Sequence, residues 1–171
     1  MLDLKKVIRD VPDFPKQGVI FKDITTLLKD KEAFKYTIDK MVERYRGEDI
    51  SQIIGIESRG FIFGAALAYN LNTGFIPVRK PGKLPAETVT EQYQLEYGND
   101  AVEMHKDALA PGEKVLIVDD LLATGGTALA TARMVEQLGA KVVGFSFLIE
   151  LESLRGREKL KDYNMFSLVR F

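Results

Sequence analysis

The sequence predicts an α/β fold, an open, mostly parallel twisted sheet flanked by helices, and three observations carry that prediction. From Gln52 to the segment FIPV the chain reads strand, loop, helix, strand. The stretch VLIVDDLLATGGTALATARMVEQLGAKVVGFSFLIE repeats the same order. The strands in both are short apolar runs rich in β-branched residues, as expected where helices cover both faces of a sheet. Such crossovers are right-handed and leave their strands parallel, so ligands are expected in the crevice beyond the strands' carboxyl ends.

Taken in order, residues 1–30 are irregular. Pro12, Pro15 and Gly18 interrupt the apolar positions Phe14, Ile20 and Phe21, which predicts a short helix followed by a loop. Phe34, Ile38, Met41, Val42 and Tyr45 recur at helical spacing and predict a helix from Glu32 to Arg46, stopped by Gly47. Gln52 to Ile56 is a strand, Glu57 to Gly60 a loop, FIFGAALAYNL a helix and FIPV the next strand. The polar insertion RKPGKLPAETVTEQYQLEYGND follows, and its TVTEQYQLEY alternates in the manner of a β-hairpin. Long insertions of this kind are often lids. VLIV is then a buried strand; the next helix carries Leu129, Ala132, Val135 and Leu138 on one side and ends at Gly139.

A chain of 171 residues with 46% hydrophobic side chains suits one domain, 1–171. The 24 basic and 25 acidic residues leave a net charge of -1, so no overall field draws the chain to nucleic acid or an anionic membrane. Cysteine is absent and histidine is limited to His105, which excludes disulfides, thiolate metal sites and a cysteine nucleophile; any metal must be held by oxygen. No apolar run approaches the roughly 18 residues that span a bilayer, and the expected compartment is the cytoplasm.

Two features of the second unit carry chemistry. Asp119 and Asp120 directly follow the strand VLIV, where a carboxylate facing the crevice would accept hydrogen bonds from hydroxyls or face a hydrated magnesium ion. Four residues on, Thr124-Gly125-Gly126-Thr127 opens a helix. Glycines and hydroxyl residues there present free N–H groups and the positive helix end to one point, a phosphate cradle. Either feature alone fits a plain strand end or a helix cap; together they suit a phosphorylated sugar. The Lys of a Walker loop and the Gly-x-Gly-x-x-Gly pattern are both missing, which disfavours nucleotide hydrolysis and dinucleotide binding.

The thirteen residues VLIVDDLLATGGT, Val115 to Thr127, resemble the phosphoribosyl pyrophosphate signature of the type I phosphoribosyltransferases, and LLATGGT resembles the version in their adenine-using branch. DFPKQGVIFKDIT, ESRGFIFG, RKPGKLP, QLEYG and ELESLRGREKL also resemble segments of that branch, in order, along most of the chain. The resemblance implies a small N-terminal hood over residues 1–30, a hairpin lid within 79–104, and transfer of phosphoribose from phosphoribosyl pyrophosphate to adenine, giving AMP and pyrophosphate. Asp119 and Asp120 would contact the ribose hydroxyls, directly or through water on magnesium, and Ala123, Thr124, Gly125, Gly126 and Thr127 would hold the 5-phosphate.

The loop Glu57, Ser58, Arg59, Gly60 would receive the leaving pyrophosphate. Arg59 suits that role because a guanidinium offers forked donors at fixed geometry, and the family implies a non-proline cis peptide within this loop. Arg79 and Lys83, which as a bare charge run would be a solvated face, become partners of pyrophosphate, in their own or a neighbouring subunit's site. Glu96 would manage the proton on the base while Tyr97 covers the site. Phe21 would stack on adenine, Ile20 and Lys22 would offer main-chain contacts, and Leu151 would pack on the base's other face. Many relatives carry Arg where this chain has Lys22. A homodimer is implied as well. Rivals are a transferase for xanthine or hypoxanthine, a non-catalytic regulator that keeps the sugar-phosphate site, and, more remotely, a receiver domain, whose phospho-acceptor Asp is missing after VVGFSFLIE.

Overall fold

The computed structural model describes residues 2–94 and 98–171. A 3-10 turn, Leu4–Lys6, leads into β1 (Arg9–Pro12) and β2 (Ile20–Asp23), an antiparallel ribbon. Then come α1 (Thr25–Lys29), α2 (Lys31–Tyr45), β3 (Gln52–Ile56), α3 (Gly60–Leu71) and β4 (Gly74–Val78). The insertion forms the antiparallel pair β5 (Thr88–Gln94) and β6 (Asn99–His105). The chain continues as β7 (Lys114–Leu122), α4 (Gly126–Gln137), β8 (Lys141–Glu150), a 3-10 turn (Glu152–Leu154), α5 (Gly156–Lys159) and β9 (Met165–Arg170).

The main sheet runs β4-β3-β7-β8-β9, and every neighbouring pair is parallel. Its order reverses between β3 and β7: β3 hands the chain outward to β4, and β7 hands it the other way to β8. The loops after those two strands therefore open side by side into one crevice.

Successive strand residues face opposite sides, and the two cores follow that rule. Ile54 and Ile117 pack with Val135 of α4 and with Val89, Val102 and Met104 of the hairpin. Ile53 and Leu116 pack with Met41 of α2, Phe63 of α3 and Ile8 of the N-terminal arm. The base of the 79–104 insertion is thus part of a core, with Met104 fully buried.

Helix α2 begins one residue earlier than its pattern suggests, because the Asp30 carboxylate accepts from the N–H groups of Glu32 and Ala33, both at 3.0 Å. Gly47 leaves it at φ +90°. Two expectations need correction. The loop expected before residue 30 contains a paired ribbon, with Val11 opposite Phe21; strands of four residues, the first of them ending in Pro12, are too short to show a period. Asp119 and Asp120 also lie within β7 and not after it, because the ten-residue β8 extends the ladder, with Asp119 opposite Phe147 and Leu121 opposite Ile149.

Asp23 locks the ribbon to α1. Its carboxylate accepts from Thr25 N at 2.9 Å and from Arg9 Nε at 3.0 Å. The Thr25 N–H, followed by the Arg9 guanidinium, lowers its pKa from 3.8 to about 2. A depressed carboxylate pKa stabilises the fold fully above the unfolded value and loses that contribution as pH falls toward the folded one. Asp23→Asn should lower Tm by about 3 °C at neutral pH, and the gap should narrow between pH 4 and pH 3. A gap that widens on acidification in thermal melts would refute this linkage.

Candidate active site

The loop after β3 is drawn tightly onto the end of β7. The Glu57–Ser58 peptide is cis, as the family resemblance implied. Arg59 stands at the entrance to α3. Gly60 is buried against the neighbouring strand, where an added methyl would stand 2.8 Å from Val118 O and 2.9 Å from Asp119 Oδ1. Only a glycine permits that approach.

Arg59 joins three distant parts of the sequence. Its Nε lies 2.7 Å from Asp120 Oδ2, and its guanidinium carbon lies 5.4 Å from the centre of the Phe21 ring, within cation–π reach. Phe21 is itself held edge-on by Phe14, with ring centres 5.2 Å apart. The candidate pyrophosphate arginine, the candidate ribose carboxylate and the candidate base-stacking ring therefore form one contiguous set.

The two carboxylates are under-compensated. Asp119 Oδ1 accepts from Asp120 N at 2.8 Å. Burial, and then the charge of Asp120, push the Asp119 carboxyl well above the ordinary range. Burial also raises Asp120, against the pull of Arg59. A pair in that state welcomes a dication or polarised hydroxyls. Among the described residues no cluster of three or more Asp, Glu, His or Cys could hold a metal unaided. This donor set therefore fits magnesium that keeps its waters and arrives with phosphate, and not a caged ion.

Around this centre lies a crevice of about 330 Å³ lined by Ile56, Glu57, Ser58, Arg59, Lys80, Val102, Asp119, Asp120, Leu121 and Thr127. A roomier hollow of about 780 Å³ between Leu2, Tyr36 and Phe166 gathers none of the candidate residues. On the crevice's far side Gly125 takes φ +77° at the start of α4, with no side chain capping the helix. The first-turn N–H groups are thus open to an anion.

The other candidates divide. The Glu57 carboxylate takes Arg79 Nη2 at 3.1 Å and Lys80 N at 2.9 Å. Burial opposes its charge, but those donors prevail and hold it below the ordinary range. Arg79 is thus matched within its own chain, and also donates to Lys83 O at 3.2 Å, while Lys83 is exposed. Lys80, which the sequence did not single out, lines the crevice and binds Asp100 and, at 2.9 Å, Tyr93 Oη. Lys22 is engaged by Asp10 at 2.7 Å and sits 3.8 Å above the Phe171 ring, so its side chain has no forked role. Ile20 is exposed, and Leu151 donates its N–H to Leu122 O at 2.9 Å. Glu96 and Tyr97 lie outside the described residues.

Comparison with known proteins agrees with this geometry. Residues 24–171 match the model of the phosphoribosyl transferase domain. An adenine phosphoribosyltransferase of Halothermothrix orenii is 58% identical over 98% of this chain and 99% of its own length. The crystal structure of the adenine phosphoribosyltransferase from Thermoanaerobacter pseudethanolicus superposes with a TM-score of 0.95 at 55% identity, covering 98% of this chain and 97% of that one. The Saccharomyces cerevisiae enzyme, complexed with an imino-altritol bisphosphate and adenine, gives a TM-score of 0.90 at 42% identity over 96% of each chain.

The Gly60 contact generates a test. Gly60→Ala should weaken binding of magnesium pyrophosphate about tenfold, the equivalent of one impaired charge-assisted hydrogen bond. Calorimetric titration of the folded variant measures it; an unchanged affinity would mean the close approach has no bearing on the site.

Proposed function

The chain belongs to the phosphoribosyltransferase family, and from that premise we propose that it transfers the 5-phosphoribosyl group of phosphoribosyl pyrophosphate to adenine, yielding AMP and pyrophosphate in purine salvage. The observation that carries this reading is the meeting of Arg59, Asp120 and Phe21 beside the glycine entrance of α4. The full-length likeness to adenine phosphoribosyltransferases supports adenine as the base.

In the reaction a base nitrogen attacks the anomeric carbon of the ribose as the bond to pyrophosphate breaks, through a transition state with oxocarbenium character. Asp119 and Asp120 hold the ribose hydroxyls, and residues Ala123 to Thr127 fix the 5-phosphate on the α4 entrance, so the sugar is gripped at both ends. The Glu57 to Gly60 loop receives the pyrophosphate with Arg59 as its main cation, supported by the positive charge of Arg79 and Lys83. Phe21 stacks on adenine, the main chain at Ile20 and Lys22 reads its edge, and Leu151 closes the opposite face. Glu96 governs the proton whose location sets the nucleophilicity of the base, and Tyr97 helps keep water from the sugar. Magnesium, held through water by Asp119 and Asp120, would neutralise charge on the departing pyrophosphate.

We assign the active form as a homodimer. Helix α3 is apolar around its circumference, and Ile62 and Tyr69, one and the same stripe, are 39% and 87% exposed. A helix apolar on all sides is ordinarily covered. The cytoplasm is the proposed compartment; among the described residues no helix is long and apolar enough to cross a membrane.

Incubation of the purified chain with magnesium, phosphoribosyl pyrophosphate and each of adenine, guanine, hypoxanthine and xanthine should yield AMP as the dominant nucleotide. IMP or XMP as the main product would reassign the base, and no nucleotide at all would favour a binding regulator. Asp120→Asn should weaken sugar-phosphate binding by about tenfold and lower turnover. Glu96→Gln should cut turnover by about a hundredfold while sparing that binding; equal activity in all three proteins would remove both roles. In sedimentation velocity Ile62→Glu should shift the chain toward monomer, and a parent protein that sediments as a monomer contradicts the dimer assignment.

A further inference from the structure

The late segment from Leu151 to Leu160 touches the site at a place that the reaction scheme leaves unused. Its α5 starts at Gly156, which is buried directly beneath the turn formed by residues 123–125. A methyl built on Gly156 would collide with the carbonyl oxygen of Ala123, and would stand 2.9 Å from Leu122 Cδ1 and 3.0 Å from Gly125 N. The contact is reciprocal: a methyl on Gly125 would stand 2.7 Å from Gly156 O. Gly156 is not among the residues with positive φ. Its backbone shape would therefore accept alanine, and it is the closeness of the two backbones that demands glycine.

The segment cannot simply move aside. Before it, Leu151 N donates to Leu122 O at 2.9 Å, and after it Leu160 is fully buried in the core. Next to Gly156, Arg157 grips Glu150 through two bonds of 2.8 and 2.6 Å. Glu150 is 4% exposed at the end of β8, opposite Leu122. Close-packed, doubly anchored backbone transmits displacement instead of absorbing it.

We propose that Gly156 is a positioning residue: the thickness of its backbone sets the height of the 123–127 turn relative to Asp119 and Asp120, and hence the fit of the sugar between its 5-phosphate and its hydroxyls. The proposal rests on the assignment of residues 123–127 to the 5-phosphate. A methyl there lifts the turn, and the α4 entrance with it, while the pyrophosphate loop after β3 stays where it is.

The test compares two ligands on the same folded protein. In Gly156→Ala the dissociation constant for ribose 5-phosphate should rise about tenfold, since a displacement near 1 Å spoils charge-assisted hydrogen bonds, while that for magnesium pyrophosphate should stay within about twofold. The KM for phosphoribosyl pyrophosphate should rise in parallel, with the KM for adenine little changed. An unchanged ribose 5-phosphate affinity overturns the proposal, as does an equal loss for both ligands, which would signal general damage. If the alanine variant does not fold, Arg157→Met loosens the same strut from outside and should weaken ribose 5-phosphate alone; no effect there counts equally against the proposal. Thr127→Val is titrated alongside. Should it leave ribose 5-phosphate binding intact, the 5-phosphate assignment itself has failed, a result separable from a failure of Gly156 alone.

Discussion

The ion pair between Arg59 and Asp120 is the contact on which the site turns. It spans the point where the sheet reverses order, tying the loop after β3 to the end of β7 at 2.7 Å. Asp120 is almost wholly buried while the Arg59 side chain is 38% exposed. One partner is thus fixed and the other can be reached from solvent. The charge of Arg59 offsets part of the cost of burying both carboxylates. On the proposed assignment, phosphoribosyl pyrophosphate supplies both replacements at once, hydroxyls and hydrated magnesium for Asp120 and a polyanion for Arg59. Binding is then an exchange of partners and leaves no buried charge unpaired.

The same guanidinium lies over Phe21, so the N-terminal ribbon is part of this centre and not a peripheral arm. What holds the ribbon there is local: Asp23 fastens its second strand to α1, and Lys22 is pinned between Asp10 and the Phe171 ring. Phe171, just past β9, and Asp10 of β1 therefore both steady the strand that carries the ring proposed to stack on the base. Elements remote in sequence converge because the parallel sheet directs the ends of β3 and β7 the same way.

What was legible in the sequence follows from the size and periodicity of each feature. The repeated strand–helix–strand pattern foretold the sheet, and the fifteen residues of α2 showed their period plainly. The acidic pair and the glycine entrance were visible because their residue types are unusual beside an apolar run. The N-terminal ribbon, with four-residue strands, carried no such period, and β9, whose residues are mostly half-buried at the sheet edge, carried little. Lys80 stood between Arg79 and Lys83 with nothing to mark it; only the fold shows that it faces the crevice and is steadied by Tyr93 and Asp100. Gly156 was invisible for a similar reason, since a glycine needed for a close approach from a distant turn has no local signature.

Two kinds of contact divide the work of the site. Gly60 against Val118 O and Gly156 against Ala123 O are backbone pressed on backbone, and such contacts have no rotamer through which to relax. They set where the loops stand. Arg59 with Asp120, Glu57 with Arg79 and Lys80 with Asp100 are pairs of side chains whose cations are partly exposed and can be reached from solvent. An incoming phosphate can therefore take over these cations, provided that the same ligand gives the buried Asp120 carboxylate new partners. The arrangement is stiff where geometry must be kept and exchangeable where charge must be handed over, which is what a transfer between two bound reactants requires of a protein that forms no covalent bond to either.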